Sequence, residues 1–190
     1  MDDSPSSAPK RRQALAAFLL YLTLAALAVG PGLLPGRTPL PLDLLGLFEP
    51  WRLDWPAAAN VELGDALLQF SSRLHMAASL KDGYLPLWNP GVMAGHPHAG
   101  DTHSSPFYPP LLLLSWCCSA LDAFAWQAWL QMTLAGSFMA LWMRRLGLRR
   151  LPALAAGLAW MLAGMQQVWL RFPPFPGTLC WLTALPPAWE

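Results

Sequence analysis

Most of the residues that could do chemistry in this sequence lie in one stretch, residues 37–122. It holds eight of the eleven acidic residues and all four histidines, but only four of the twelve lysines and arginines. The segments on either side are nearly free of charge and long enough to cross a bilayer. Ionisable groups placed beside a membrane are a functional hypothesis by default. This stretch is where a membrane enzyme acting at the outer surface would keep its catalytic groups.

Four neighbouring residues in this stretch are of the types that ligate metal ions. His96, His98 and His103 flank Asp101, and a His-x-His pair near a carboxylate can form part of a zinc or manganese site. The spacing is not diagnostic, because it lacks the helical register of a His-Glu-x-x-His motif. Solvated loop histidines are the competing interpretation, so a divalent metal is one of two alternatives here.

The residues around this cluster are rich in glycine and proline. Their density over residues 81–110 excludes regular secondary structure, and a long ordered loop of this kind is usually functional. Disordered segments are poor in aromatic residues. The presence of Trp88, Phe107 and Tyr108 therefore predicts an ordered loop.

An amphipathic helix is predicted before this loop, over residues 61–81, with Asn60 as its cap and Gly83 at its end. Its apolar residues recur at three- and four-residue steps and form one face: Leu63, Leu67, Phe70, Leu74 and Ala77 or Ala78. Its polar residues fall on another face: Asp65, Gln69 and Ser72. We expect the helix to lie along the membrane or against the spans, with Asp65 turned toward a polar cavity. The alternative is a solvated Asp on an amphipathic helix.

Composition indicates a membrane protein. The chain is 55% hydrophobic and only 12% charged, which is about half the charged fraction of soluble domains. Eleven tryptophans and twenty prolines fit the same interpretation, because Trp gathers at membrane interfaces and Pro is tolerated in membrane helices. The net charge of +1 gives no indication of a nucleic-acid partner.

The segments that we expect to cross the membrane follow from the charge pattern. The positive-inside rule places the basic tail 1–12 and the basic loop 144–150 in the cytoplasm, and so requires an even number of crossings between them. Residues 107–121, whose apolar core is only eleven residues long, are therefore predicted to be a non-spanning interfacial segment, and 37–122 an external loop. The expected spans are 13–36, 123–143 and 151–170, then an external turn at 171–176 and the start of a fourth, truncated span at 177–190. For the first span, a signal peptide cleaved after Ala26-Leu27-Ala28 is the alternative.

Several motifs resemble those of the YfhO-type family of bacterial multi-pass membrane proteins. They are GDALLQF at 64–70, LKDGYLPLWNPGVMAGHPHAGDTHSSPFYPP at 80–110 and GSFMALWMRRLGL at 136–148, followed by CWLTALPPAWE at the end of the chain. Proteins of this family look like GT-C glycosyltransferases. The resemblance implies an all-α membrane protein in the bacterial cytoplasmic membrane. It would be a transmembrane helix bundle with a large first external loop that contains short membrane-surface helices. Because family members are several times longer, it also implies that this chain is an N-terminal fragment.

The resemblance implies a function and a set of site residues. The function is transfer of a sugar from a polyprenyl-phosphate donor to an envelope glycopolymer or lipid acceptor. A carboxylate would take the proton of the acceptor hydroxyl, and a metal or a basic side chain would stabilise the leaving phosphate. Asp65 is the first candidate for the carboxylate and Asp101 the second, with Asp43 and Glu49 behind them.

Candidate substrate-binding residues belong to the same stretch. Trp88 and Tyr108 could stack on a sugar ring or anchor the loop at the interface, and Asn89 could contact substrate. The phosphate could be held by Arg52, Arg73 or Arg171, and Arg73 is the one that we include among the candidate substrate-binding residues. A transporter or flippase-like protein and a non-enzymatic envelope scaffold are the competing functions. A transporter is expected to carry charges inside broken spans, which these spans lack.

Overall fold

The computed structural model describes residues 8–40, 42–47, 49, 52, 65–172 and 174–189. Within these ranges the chain forms seven α-helices: α1 (Ala8–Val29), α2 (Asp65–Lys81), α3 (Pro109–Cys117), α4 (Ala120–Arg145), α5 (Arg150–Met161), α6 (Gly164–Val168) and α7 (Pro174–Trp189). Short 3₁₀ helices lie at Gly30–Leu33, Leu42–Leu47, His98–Gly100 and Trp169–Arg171. These ranges contain no strand, and their one β-type pairing is an isolated bridge between Asn89 and His96. The all-α expectation is confirmed for the described part of the chain.

Two stretches of helix are long and apolar enough to cross a bilayer. They are Arg11–Leu33 and Arg150–Val168, which overlap the expected spans 13–36 and 151–170. Helix α4 has 26 residues, but polar side chains in its middle, such as Gln127 and Gln131, lower its hydropathy. Its crossing at 123–143, the start of a span at 177–190 and the external position of the large loop stay predictions.

The chain divides into two compact units. The first contains the described residues of Met1–Gly30, Trp129–Trp169 and Phe175–Glu190, and the second contains those of Pro31–Ala128 and Leu170–Pro174. The candidate residues of the large loop therefore belong to the second unit.

In the first unit, three helices meet at the side chain of Tyr21. This residue of α1 is fully buried, and its hydroxyl donates a hydrogen bond of 2.9 Å to the carbonyl of Leu154 on α5. Two glycines make room for it. A Cβ added at Gly136 on α4 would stand 2.9 Å from the Tyr21 ring, and one added at Gly157 on α5 would overlap the Tyr21 hydroxyl and lie 2.5 Å from the Gly136 carbonyl oxygen. Small residues that let helices approach this closely are common where membrane helices pack.

The first unit exposes many large apolar side chains. Among them are Leu15, Leu19, Leu27, Leu151, Leu182 and Leu185. Several polar side chains, Gln131, Thr133, Gln166 and Thr183, are buried beside its apolar core residues. Large exposed apolar surface is typical of helices that face lipid.

Helix α2, in the second unit, buries polar as well as apolar side chains. Leu74, on the predicted apolar face, is 48% exposed, whereas Gln69, Arg73 and Met76 are buried. The position of the apolar face along the membrane or against the spans stays a prediction. The buried polar residues are tolerated here because they have hydrogen-bond partners on other segments.

Local interactions determine where the helices around the loop begin and end. Gly83 adopts a left-handed φ of 82°, and the amide of Tyr84 bonds the Ser79 carbonyl at 3.0 Å, so α2 ends where the sequence predicted. Helix α3 has nine residues and is about 14 Å long, less than half a bilayer core. The hydroxyl of Ser119 then accepts the amide of Asp122 and donates to its carboxylate, which caps the start of α4 and separates it from α3. The position of α3 on a membrane surface stays a prediction.

We expect Gly157→Ala to destabilise the protein, because the added methyl group would overlap the Tyr21 hydroxyl at the contact of α1, α4 and α5. Overpacking of this kind costs about 1–3 kcal/mol. Thermal unfolding of the purified protein in detergent measures it. Gly164→Ala is the matched control, because a Cβ there meets nothing within 4 Å. Equal melting temperatures for the two variants would contradict the close packing.

Candidate functional site

The irregular loop of the second unit is closed by its own backbone. Asn89 and His96 exchange two backbone hydrogen bonds of 2.8 and 2.9 Å, and the Asn89 side-chain oxygen accepts the amide of Gly91 at 3.0 Å. Asn89 is itself buried. The side chain predicted to bind substrate therefore holds the turn between residues 89 and 96 in shape, and that structural role explains its presence.

The tip of this turn is in an unusual conformation. Met93 and Ala94 have φ of 52° and 60°, which non-glycine residues seldom adopt, and Gly95 has φ of 121°. A Cβ at Gly95 would stand 2.5 Å from the indole of Trp88, so only glycine fits against that ring. Trp88 is thereby held at the surface, 56% exposed. Backbone strain of this kind is most often found at ligand-binding segments.

Asp101 follows the 3₁₀ helix His98–Gly100 and is held by the residues after it. Its carboxylate accepts the amide of His103 at 3.0 Å and the hydroxyl of Ser104. Partial burial raises the pKa of Asp101. The hydrogen bonds from the Ser104 hydroxyl and from the Ser104 and His103 amides, together with the nearby His98, lower the pKa by a larger amount. The net pKa lies below the ordinary value, and the group is a carboxylate at neutral pH.

A cavity of about 370 Å³ opens beside this carboxylate, at the lower end of the range for small-ligand sites. Its polar lining comes from α2 and from the loop: Gln69, Ser71, Ser72, His96, Asp101, His103 and Ser104. Its apolar lining comes from Val92, Met93 and Phe172. The strained tip and the candidate carboxylate thus share one cavity.

Helix α2 contributes the side chain of Gln69 to the lining of this cavity. Its side-chain amide nitrogen donates to the carbonyl of His103 at 2.9 Å, which ties the helix to the loop. Gln69 is 4% exposed. The sequence pattern had placed Gln69 and Ser72 on one polar face of the helix, and both line the cavity. That shared face was the available signal for Gln69, which sequence reasoning had not included among the site residues.

Arg73, one turn after Gln69, is not on the cavity. It is 1% exposed, its guanidinium lies 4.4 Å over the ring of Phe124, and its Nη1 donates to the Gln127 side-chain oxygen at 2.5 Å. Its Nε and Nη2 have no hydrogen-bond partner in the described part of the chain. Burial lowers the pKa of Arg73 to about 9, so it still carries its charge at neutral pH. The Arg73 side chain is not among those that line the cavity, so the cavity gives no support to a role in holding phosphate. That role stays a prediction.

The histidines do not gather into a metal site. Across the described ranges, no group of three or more His, Cys, Asp and Glu side chains could hold a metal ion. His96 and His103 line the cavity with Asp101, but His98 is fully buried with its ring edge-on to His75, at 5.4 Å between centroids. The described residues therefore do not fit the metal alternative.

The other candidate residues lie apart from the cavity lining or outside the description. Asp43 is in the 3₁₀ helix Leu42–Leu47, and Glu49 is exposed. Tyr108 immediately precedes α3, whose first amides bond its carbonyl. Asp65 is the first residue of α2, one turn before Gln69, and its side chain lies outside the described residues. Of the four candidate carboxylates, the structure brings Asp101 alone into the described cavity wall.

Comparison with models of protein families, with curated proteins and with solved structures finds no match. The resemblance to the YfhO-type family therefore stays an expectation based on the motifs. Function has to be inferred from the chemistry of the cavity.

We expect acid to destabilise the protein through His98. Neither ring nitrogen has a hydrogen-bond partner within the described residues, and the pKa is lowered from 6.5 by burial and then by His75. Because the unfolded state then binds the proton more tightly, stability is complete above about pH 6.5 and falls as pH drops toward the folded-state pKa. His98→Leu should abolish this part of the pH dependence of the melting temperature in detergent. His103→Asn, at an exposed histidine, is the control, and an unchanged pH dependence in His98→Leu would contradict the prediction.

A further prediction about stability concerns the guanidinium of Arg73. Gln127→Leu should destabilise the protein by about 1–3 kcal/mol, because it removes a hydrogen bond from a buried charge. Adding Arg73→Met removes the charge and retains an apolar side chain, so the double variant should recover at least wild-type stability. Chemical denaturation of both variants and of the Arg73→Met single variant measures the coupling. A double variant less stable than Gln127→Leu would show that the charge has a further partner.

Proposed function

We propose that this chain belongs to a membrane glycosyltransferase that moves a sugar from a polyprenyl-phosphate donor to a cell-envelope acceptor. The observation that carries the proposal is the cavity in which Asp101 lies with Ser104, His103 and Gln69. Two helices long and apolar enough to cross a bilayer, and the apolar exterior of the first unit, support a membrane location. The orientation that we propose puts the cavity on the external face of the bacterial cytoplasmic membrane.

The chemistry proposed for the site needs one base and one leaving group. The acceptor hydroxyl oxygen forms a bond to the anomeric carbon of the donor sugar, and the bond from that carbon to the phosphate oxygen breaks. The electron pair of the broken bond leaves with the polyprenyl phosphate, and the hydroxyl proton passes to the carboxylate of Asp101. The lowered pKa of Asp101 keeps its carboxylate ionised at neutral pH, which is the protonation state that a general base requires.

The surroundings of Asp101 suit this role in two ways. The hydrogen bonds from Ser104 and His103 hold the carboxylate in one orientation, and the carboxylate keeps the capacity to accept a further hydrogen bond from a substrate hydroxyl. The aromatic ring of Phe172 and the side chains of Val92 and Met93 offer an apolar wall to the C–H groups of a sugar. Trp88, exposed on the same loop, is a second surface for the sugar or for the lipid interface.

Asp101→Asn tests the proposal. With the full chain reconstituted in liposomes and radiolabelled polyprenyl-phosphate monosaccharides as donors, we expect the variant to lose at least about 100-fold in kcat, the usual contribution of a general base. The Asn oxygen can keep the hydrogen bond from the His103 amide, and the Asn amide nitrogen can donate to the Ser104 hydroxyl oxygen, so folding should be preserved. Asp82→Asn is the matched control, because Asp82 is an exposed carboxylate of the same unit outside the cavity lining.

The outcomes separate the competing functions. Transfer by the wild type and by Asp82→Asn, with loss in Asp101→Asn, supports the enzyme. Equal transfer by all three removes Asp101 from the mechanism. Absence of transfer by a folded, reconstituted wild type contradicts the proposal, and movement of labelled lipid across the bilayer in that sample would favour the flippase alternative.

A further inference from the structure

The start of the irregular loop exposes a large amount of apolar surface. Met93 is 89% exposed, the highest value among the large apolar side chains of the described residues. Four more such side chains precede it, and each is more than half exposed: Tyr84, Leu85, Leu87 and Trp88. Single exposed apolar residues are common, but several within ten residues indicate a surface that another molecule covers.

The backbone holds this apolar surface outward. The paired backbones of Asn89 and His96 close the turn between them, and Gly95 lies against the indole of Trp88. The ring of Trp88 therefore lies beside the tip of the turn, which carries Met93. Because the turn is closed by its own hydrogen bonds, its apolar side chains stay exposed instead of folding inward.

The charge of this segment indicates what covers it. Residues 83–100 contain no Asp, Glu, Lys or Arg, and charged residues begin again on either side, at Asp82 and Asp101. A specific protein interface has an apolar centre within a polar rim that makes hydrogen bonds. Lipid differs, because a charged side chain placed in it is costly. An exposed apolar segment without charge is thus better suited to lipid than to a protein.

The backbone of the turn is suited to lipid as well. A backbone polar group without a hydrogen-bond partner costs free energy in an apolar medium. Pro90 has no amide hydrogen, and four further amides bond within the turn, those of Asn89, Gly91, Gly95 and His96. This internal pairing lowers the cost of bringing the turn into the boundary between headgroups and acyl chains.

The chain also has the means to hold itself at a bilayer. Arg11–Leu33 and Arg150–Val168 are long and apolar enough to cross one. Trp and Tyr gather at the boundary between a membrane and water, and Trp88 and Tyr84 lie in the exposed segment. The residue types of the segment are therefore those of a membrane-surface element.

We infer that residues 84–93 insert into the surface of the bilayer that holds this chain. Met93 lies among the upper acyl carbons, and Trp88 lies at the level of the headgroups. The insertion is shallow, like that of other elements that lie in the membrane interface. The inference does not rest on the proposed transfer of a sugar.

The test measures what surrounds position 93 in lipid nanodiscs, which leave both faces of the bilayer open to solution. A fluorescent noncanonical amino acid replaces Met93 in the full chain, and in a matched control it replaces Asp82, which is exposed and charged. Lipids with a nitroxide at the top of the acyl chain quench a fluorophore in the bilayer, and iodide quenches one in water. We expect nitroxide lipids to quench position 93 at least about 3-fold more strongly than position 82, and iodide to give the reverse order.

A charge at the tip gives a second test. With the fluorophore in place of Leu87, Met93→Asp should reduce quenching by nitroxide lipids at least about 2-fold, because a carboxylate is costly in lipid. Met93→Leu retains an apolar side chain and should leave the quenching unchanged. Far-UV circular dichroism confirms that each variant is folded, and position 87 serves as the reporter if the fluorophore at position 93 prevents folding.

Three results would overturn the inference. Iodide could reach position 93 as readily as position 82. Neither quencher could reach position 93, which would show that protein, such as a second copy of the chain, covers the turn. Met93→Asp and Met93→Leu could give equal quenching. None of these measurements uses a donor lipid or the transfer of a sugar, so failure of the inference is distinguishable from failure of the proposed function.

Discussion

The hydrogen bond from the side chain of Gln69 to the carbonyl of His103 is the contact on which the second unit depends. It joins α2, a regular helix, to a loop that glycine and proline keep irregular. Together with the edge-on contact of His75 and His98, it fixes the carboxylate of Asp101, two residues before His103, relative to the helix. Rigid elements position catalytic groups better than loops do, and here one helix side chain gives the loop a fixed reference.

The buried polar groups of this unit differ in how well they are satisfied. The side chain of Asn89 is used within its own turn, and the carboxylate of Asp101 accepts hydrogen bonds from its neighbours. By contrast, Arg73 and His98 are buried with nitrogen atoms that lack partners in the described residues. An unsatisfied buried group costs about 1–3 kcal/mol, and more when it is charged. Such groups make the second unit less stable than its apolar contacts alone would allow.

Sequence reasoning succeeded where a local rule decides the structure. Gly83 ended α2, and the polar face of that helix, read from the spacing of Gln69 and Ser72, does line a cavity. It failed where the answer depends on distant partners. The burial of Arg73 follows from Gln127 on α4, 54 residues away, and no periodicity reveals that contact. The role of Asn89 likewise depends on its pairing with His96 and on the strained turn between them.

Helix α2 carries an unpartnered hydrogen-bond acceptor and unpartnered donors in successive turns. Gln69 has a spare acceptor and Arg73 has spare donors, and residues four apart on a helix are neighbours. The two side chains pair with other residues: the Gln69 amide nitrogen donates to the His103 carbonyl, and Arg73 donates to Gln127. The fold thus leaves both residues partly unsatisfied. Local conflicts of this kind are expected at functional sites, where a ligand supplies the missing partner. For the buried oxygen of Gln69, that partner has to be a hydrogen-bond donor.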